Sequence, residues 1–149
     1  MRRPERGERS AFDDAVRILA RRSHGRVELS RKLRQRGHEA DEIERAFARL
    51  AELGYLEPEA EVAERYAREL ARAAGATPRA VGHKLRQRGF EETDTDRALA
   101  LVFEDWDAEA AALEFVRGEA NRDRAARRLA RRGFDAEVVV RVLRRLERD

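Results

Sequence analysis

The stretch "ELSRKLRQRG", Glu28 to Gly37, carries a six-residue phrase, KLRQRG at Lys32–Gly37, that recurs letter for letter at Lys84–Gly89. A looser copy, RLARRG, occupies Arg128–Gly133 and keeps the basic first position, the leucine, the last arginine and the glycine. The offsets are 84 − 32 = 52 and 128 − 84 = 44 residues. Both lie in the period range of arrays built from two or three helices per repeat. The chain therefore reads as a threefold repetition, with the phrase as one part of its unit.

Each copy ends in glycine behind a cluster of cations, which is how a helix stops. Gly37, Gly89 and Gly133 can take the left-handed conformation that costs another residue about 1–2 kcal/mol, and basic side chains suit the negative end of the helix dipole. Upstream, Thr77-Pro78 supplies an N-cap followed by proline at the first helical position, and Asn121 can cap the third copy. The phrase is thus the second half of a helix about 10 residues long, since cap and glycine are that far apart. Apolar residues four apart, Leu29 and Leu33, Val81 and Leu85, Ala125 and Leu129, give each such helix one buried face.

A longer amphipathic run follows each glycine: Ile43, Phe47, Leu50 and Leu53; Leu99, Val102 and Phe103; Val138, Val142, Leu143 and Leu146, the last opened by Asp135. Another precedes each phrase: Phe12, Val16, Ile18 and Leu19, opened by a Ser10-x-x-Asp13 pair resembling a capping box; Val62, Tyr66 and Leu70; Ala110, Leu113 and Val116, opened by Asp107. The expected fold is all-α: three tandem three-helix repeats in an elongated, curved array. The expected units are 1–56, with a basic amino-terminal arm, 57–105 and 106–149. Such narrow apolar stripes make a weak core alone, so neighbour interfaces must contribute much of the stability.

Composition agrees. Charged residues make up 42% of the 149, equal to the hydrophobic share and far above the usual quarter or so, and good helix formers dominate. There is no cysteine, which excludes disulfides, thiolate metal sites and cysteine nucleophiles. The amino-terminal "MRRPERGERS" lacks the apolar run of a signal peptide, and no stretch approaches the roughly 20 apolar residues of a membrane span. A soluble, cytoplasmic protein is expected.

The net charge of +3 hides segregation. Residues 1–37 carry twelve cations and five acids, +7, and 39–69 carry four arginines and ten acids, −6. Residues 91–114 carry one arginine and nine acids, −8, and 117–149 carry eleven arginines and six acids, +5. The phrase helices are the basic members. One reading is that basic and acidic helices simply neutralise each other. Exposed pairs contribute only about 0–1 kcal/mol each, however, and the chain's only two lysines, Lys32 and Lys84, fall at the same repeat position. That coincidence fits a shared surface for phosphate or carboxylate, or plain common ancestry. The candidate residues are Lys32, Arg34 and Arg36; Lys84, Arg86 and Arg88; and Arg128, Arg131 and Arg132. Aromatic interleaving is thin, since Phe90 and Phe134 read as hydrophobic contacts behind the glycines, so backbone contact without base readout is expected.

No catalytic constellation stands out. His24, His38 and His83 share no metal-ligand spacing and read as solvated or turn histidines. There is no H-E-x-x-H, no GxxxxGK[ST] and no nucleophile elbow around Ser10, Ser23 or Ser30. The acid run "EETDTD" reads as a solvated helix start. A binding or regulatory protein without cofactor or metal fits better than an enzyme.

Three stretches taken in order, "ELSRKLRQRGHEADEIERAFARLAELGYL", "VGHKLRQRGF" and "RRLARRGF", resemble the RecX family of bacterial recombination regulators over about Asp13 to Leu146. The resemblance implies three tandem three-helix repeats that bind filaments of the RecA recombinase in their helical groove, near the DNA. It implies inhibition of strand exchange, ATP hydrolysis and co-protease activity, bearing on DNA repair and the SOS response, with direct binding of single- or double-stranded DNA in some members. Where the family commonly has G-Y-L-[DN]-D, this chain has Gly54-Tyr55-Leu56-Glu57-Pro58. Tyr55 and Leu56 read as the hydrophobic end of the third helix, and Trp106 as a packing residue between repeats. The expected state is a monomer. The rivals are a free-standing, sequence-nonspecific nucleic-acid-binding helical protein and a neutral scaffold whose charges merely pair.

Overall fold

The computed structural model describes residues 9–21 and 24–149. Arg2, Arg3, Arg6 and Arg22, counted above in the basic first segment, and Ser23 lie outside them. The described residues form helices and no strand: α1 (Ala11–Arg21), α2 (Arg26–Gln35), α3 (Ala40–Glu52), α4 (Glu59–Ala71), α5 (Pro78–Gln87), α6 (Glu92–Val102), α7 (Ala108–Phe115), α8 (Arg122–Arg132) and α9 (Ala136–Arg148). None is long and apolar enough to cross a membrane.

The start signals act as their chemistry requires. Thr77 Oγ1 accepts from the Ala80 N–H at 3.1 Å, Asp107 Oδ1 from Ala110 at 3.0 Å and Asn121 Oδ1 from Arg124 at 2.9 Å. Ser10 Oγ accepts from the Asp13 N–H at 3.1 Å, which is the forward half of a capping box. Asp135 sits at the N-cap of α9, but its side chain makes no capping bond. The phrase glycines stop their helices in the left-handed region, with φ of +92° at Gly37, +82° at Gly89 and +94° at Gly133. Behind two of them the amides of Phe90 and Phe134 donate back to Leu85 and Leu129, and both rings are buried. Thus one phrase supplies a stop, a reversal and a core anchor.

The core is three clusters. Ala15, Ile18, Leu29, Leu33, Ile43 and Leu50 form the first. Ala63, Ala67, Val81, Leu85, Phe90 and Ala98 form the second, and Ala112, Val116, Ala125, Leu129, Phe134, Val142 and Leu143 the third. The substantially packed helix pairs all fall within α1–α3, α4–α6 or α7–α9. Many of the fully buried side chains are alanines, which let helices approach closely but remove little apolar area apiece. Four apolar residues depart from the sequence reading, and two of them, Val16 and Leu146, are 39% and 37% exposed on their helices. Leu53 and Tyr55 are exposed at the end of α3, because the chain reverses at Gly54 (φ +74°) before they can turn inward, and only Leu56 packs on the first cluster. Trp106 does link neighbouring units: its ring lies 5.5 Å from Phe103 and 6.0 Å from Phe134.

Candidate filament and nucleic-acid interface

The three phrase helices meet end to end. The Gly25 N–H, at the N-cap of α2, donates to the Arg88 carbonyl at the end of α5 at 3.1 Å. The Thr77 hydroxyl, at the N-cap of α5, donates to the Arg132 carbonyl at the end of α8 at 2.7 Å. Gly25 and Thr77 are equivalent, since 77 − 25 = 52, the same offset that separates the first two phrases. The joints are tight. A Cβ on Gly25 would lie 2.4 Å from the Gly89 carbonyl carbon, and one on Gly89 would lie 2.5 Å from the Glu28 nitrogen. Each joint sets the negative end of one helix dipole against the positive end of the next, so α8, α5 and α2 run head to tail. At these two joints the phrase glycine therefore does more than stop its own helix, because it is also the seat of the neighbouring unit.

Glu59 of α4 braces the first joint, its Oε1 accepting the Arg26 N–H at 2.7 Å. Its Oε2 is buried without a partner among the described residues, and burial pushes this carboxyl above the usual range against the opposing pull of the Arg26 N–H. A raised folded-state value means the folded chain holds this proton more readily than the unfolded chain, so stability falls as pH rises through the window above the ordinary carboxylate value. Glu59→Gln keeps an acceptor and removes the charge. Its advantage in Tm over the parent is expected to be smallest near about pH 4 and to grow towards neutrality. A difference independent of pH in a Tm series would contradict this account.

Local pairing sorts the nine candidate cations. Residues two apart lie about 200° apart around a helix, so Lys32, Arg34 and Arg36 do not share a face. The last arginine of each phrase is used inside its own unit. Arg36 Nη1 donates to buried Asp14 of α1 at 3.2 Å, Arg88 stacks 5.1 Å from the Tyr66 ring centroid, and Arg132 stacks 5.1 Å from that of Phe115. Arg128 also lies over Phe115, at 4.8 Å, and faces Glu119 at 3.8 Å. Lys32 Nζ donates to His24 Nε2 at 2.7 Å and pairs with Glu28 at 3.6 Å. Arg86 makes a two-pronged pair with Glu92, at 2.8 and 2.7 Å, which holds its guanidinium even more firmly protonated than usual.

Arg34, Lys84 and Arg131 remain exposed and, among the described residues, without a side-chain partner. On the phrase helices, three cations outside the phrase itself share that condition: Arg31 on α2, Arg79 on α5 and Arg127 on α8. Arg31 and Arg127 lie opposite the buried leucines of their helices, at the same repeat position as exposed His83, a placement that helical periodicity alone reveals. Beside Arg31 and Arg34 an open groove of about 460 Å³ runs between α2 and α3, its apolar side formed by Val27, Ile43 and Phe47 and its rim by Arg26 and Glu44. Val27 is 58% exposed there.

The histidines fall into both of the expected kinds, but the turn histidines are buried. Only His83 is solvated; His24 and His38 are buried turn residues. His38 bridges Asp14 at 2.6 Å and Glu42 at 3.2 Å, and Glu42 in turn caps α1 by accepting the Ala11 N–H at 3.1 Å. That backbone bond holds the Glu42 carboxyl below the usual range. No group of three metal-ligating side chains occurs among the described residues.

An all-α tandem array whose basic short helices run end to end is a helical-repeat protein. The family model for the first three-helix domain of RecX matches residues 11–50, which span α1 to α3 short of its last turn. The regulatory protein RecX of Pseudomonas entomophila (strain L48) is 44% identical over 139 residues, covering 87% of this chain and 86% of that protein. That of Pseudomonas fluorescens (strain SBW25) is 40% identical over 136 residues, with the same coverage. Among solved structures, the crystal structure of RecX from Lactobacillus salivarius shares the fold, with a TM-score of 0.76 at 19% identity over 93% of this chain and 96% of that one. The chain belongs to the RecX family of regulatory proteins, which act as regulators and not as enzymes.

Proposed function

We propose that this chain inhibits the RecA recombinase by lodging in the groove of its filament on DNA, and so suppresses strand exchange, ATP hydrolysis and co-protease activity in the cytoplasm. DNA repair and the SOS response are then the processes it moderates. The observation that carries this reading is the set of outward cations on the three end-to-end phrase helices, Arg31, Arg34, Arg79, Lys84, Arg127 and Arg131, committed to no acid of the chain among the described residues. Helices of 10, 10 and 11 residues offer roughly 47 Å of helical contour, enough to follow a polyanion past many phosphates. Free charge on a long surface suits a linear acidic partner better than a pocketed ligand. The remaining phrase cations, Lys32, Arg36, Arg86, Arg88, Arg128 and Arg132, flank that surface and hold their own units together.

The test is a titration of this protein into the cognate recombinase hydrolysing ATP on single-stranded DNA. Inhibition well below the recombinase concentration supports action at filament ends, and inhibition only near stoichiometry supports coating of the groove. Absence of inhibition, with binding to naked DNA at the same salt, would sink the reading in favour of a free-standing nucleic-acid binder.

A further inference from the structure

Both internal joints are built from the same two surfaces. One is a helix end: the carbonyl before the phrase glycine and the left-handed glycine itself, Arg88-Gly89 or Arg132-Gly133. The other is the N-cap that donates to that carbonyl, Gly25 through its amide or Thr77 through its hydroxyl. Among the described residues, three units with two joints leave one copy of each surface unused. The acceptor copy is Arg36-Gly37, where Gly37 is exposed and a Cβ would meet nothing within 4 Å. The donor copy is Asn121, also exposed, in register with Thr77 because 121 − 77 = 44, the offset between the second and third phrases. Asn121 spends its Oδ1 on the Arg124 N–H, so its NH₂ group is the counterpart of the Thr77 hydroxyl. The approach to it is open as well, since a Cβ on Gly118 would meet nothing within 4 Å among the described residues.

We infer that the two ends are complementary, and that a second copy of this chain seats its Asn121 end on the Arg36-Gly37 end of the first. The run of α8, α5 and α2 then continues from molecule to molecule. The dipoles agree in sign, because α2 presents its negative end and α8 its positive end. The two surfaces differ, so each added copy regenerates a free end and the product is an open chain instead of a closed dimer. Binding to a shared polyanion raises the effective concentration of the ends and makes loading along it cooperative. This inference replaces the expectation of a monomer, and it rests on the joints alone, independently of the partner proposed above.

Sedimentation equilibrium of the full chain, from about 10 µM to about 1 mM, tests it. The weight-average mass is expected to rise about twofold or more above 17.2 kDa across that range. Two variants each close one end. Gly37→Asn tolerates the left-handed backbone but places a Cβ where, at Gly89, one would strike the next helix. Asn121→Asp keeps the N-cap and removes the donor, setting a carboxylate against the negative helix end. Each alone should stay at 17.2 kDa with the parent's far-ultraviolet dichroism. Mixed in equal amounts they should stop at twice that mass, because each retains the end the other lacks. A parent that stays at 17.2 kDa throughout, or variants that associate as the parent does, would overturn the inference.

Discussion

Gly89→Ala is expected to destabilise the chain by about 3 kcal/mol, whereas Gly37→Ala should cost only about 1–2 kcal/mol. The two glycines close identical phrases and share a left-handed backbone, with φ of +82° and +92°, so the conformational penalty is common to both. They differ in what a side chain would meet. At Gly37 a Cβ enters open space, whereas at Gly89 it would lie 2.5 Å from the Glu28 nitrogen and 2.8 Å from the Glu28 Cβ. A backbone atom in a helix cannot step aside, so α2 must move off the end of α5. The Gly25 bond to the Arg88 carbonyl and the Arg26 bond to Glu59 are then lost together. Urea unfolding should show a lower midpoint for both variants, with the first unit of Gly89→Ala melting ahead of the rest. Equal midpoints for the two variants would mean that the joints contribute nothing to stability.

The second large effect concerns binding. The triple variant Arg34→Gln, Lys84→Gln, Arg131→Gln removes one unpartnered cation from each phrase helix, and none of the three holds an acid among the described residues. Its Tm should match the parent's. At about 1 kcal/mol per exposed contact its affinity for a recombinase filament on DNA should fall roughly 100-fold, and for naked duplex the salt slope should flatten by about 2.7. The contrasting triple, Arg36→Gln, Arg88→Gln, Arg132→Gln, strips a buried-acid pair and two ring stacks and should lower Tm instead. If both triples lose affinity equally at unchanged Tm, the division of the cations drawn from their contacts is wrong.

Much of this was legible in the letters. The repeated phrase, the caps at Thr77, Asp107 and Asn121, and apolar residues four apart located the helices, because each signal acts within one or two turns of the residue that carries it. The binding face was only half legible. Reading Lys32, Arg34 and Arg36 as one cluster follows their adjacency in the sequence, yet helical geometry sends Arg34 to the side of Arg31, while Arg36 reaches buried Asp14 22 residues earlier in the chain. His38 shows the same limit: Glu42 lies only four residues on, but the contact that buries it between helices is with Asp14, 24 residues earlier in the chain.

Helix, stop and inward face are properties of neighbouring residues, so dihedral preference and a period of 3.6 suffice to write them down for this chain. The head-to-tail seating of α2 on α5 and of α5 on α8 is of another kind. Gly25 and Thr77 solve the same joint with different donors, an amide and a hydroxyl, and each meets a carbonyl more than 50 residues away in the chain. Local periodicity carries no information about which helix end approaches which. Only the packing of whole units brings those groups within 3 Å or so, and with that same step it separates the cations spent inside the fold from those left facing out.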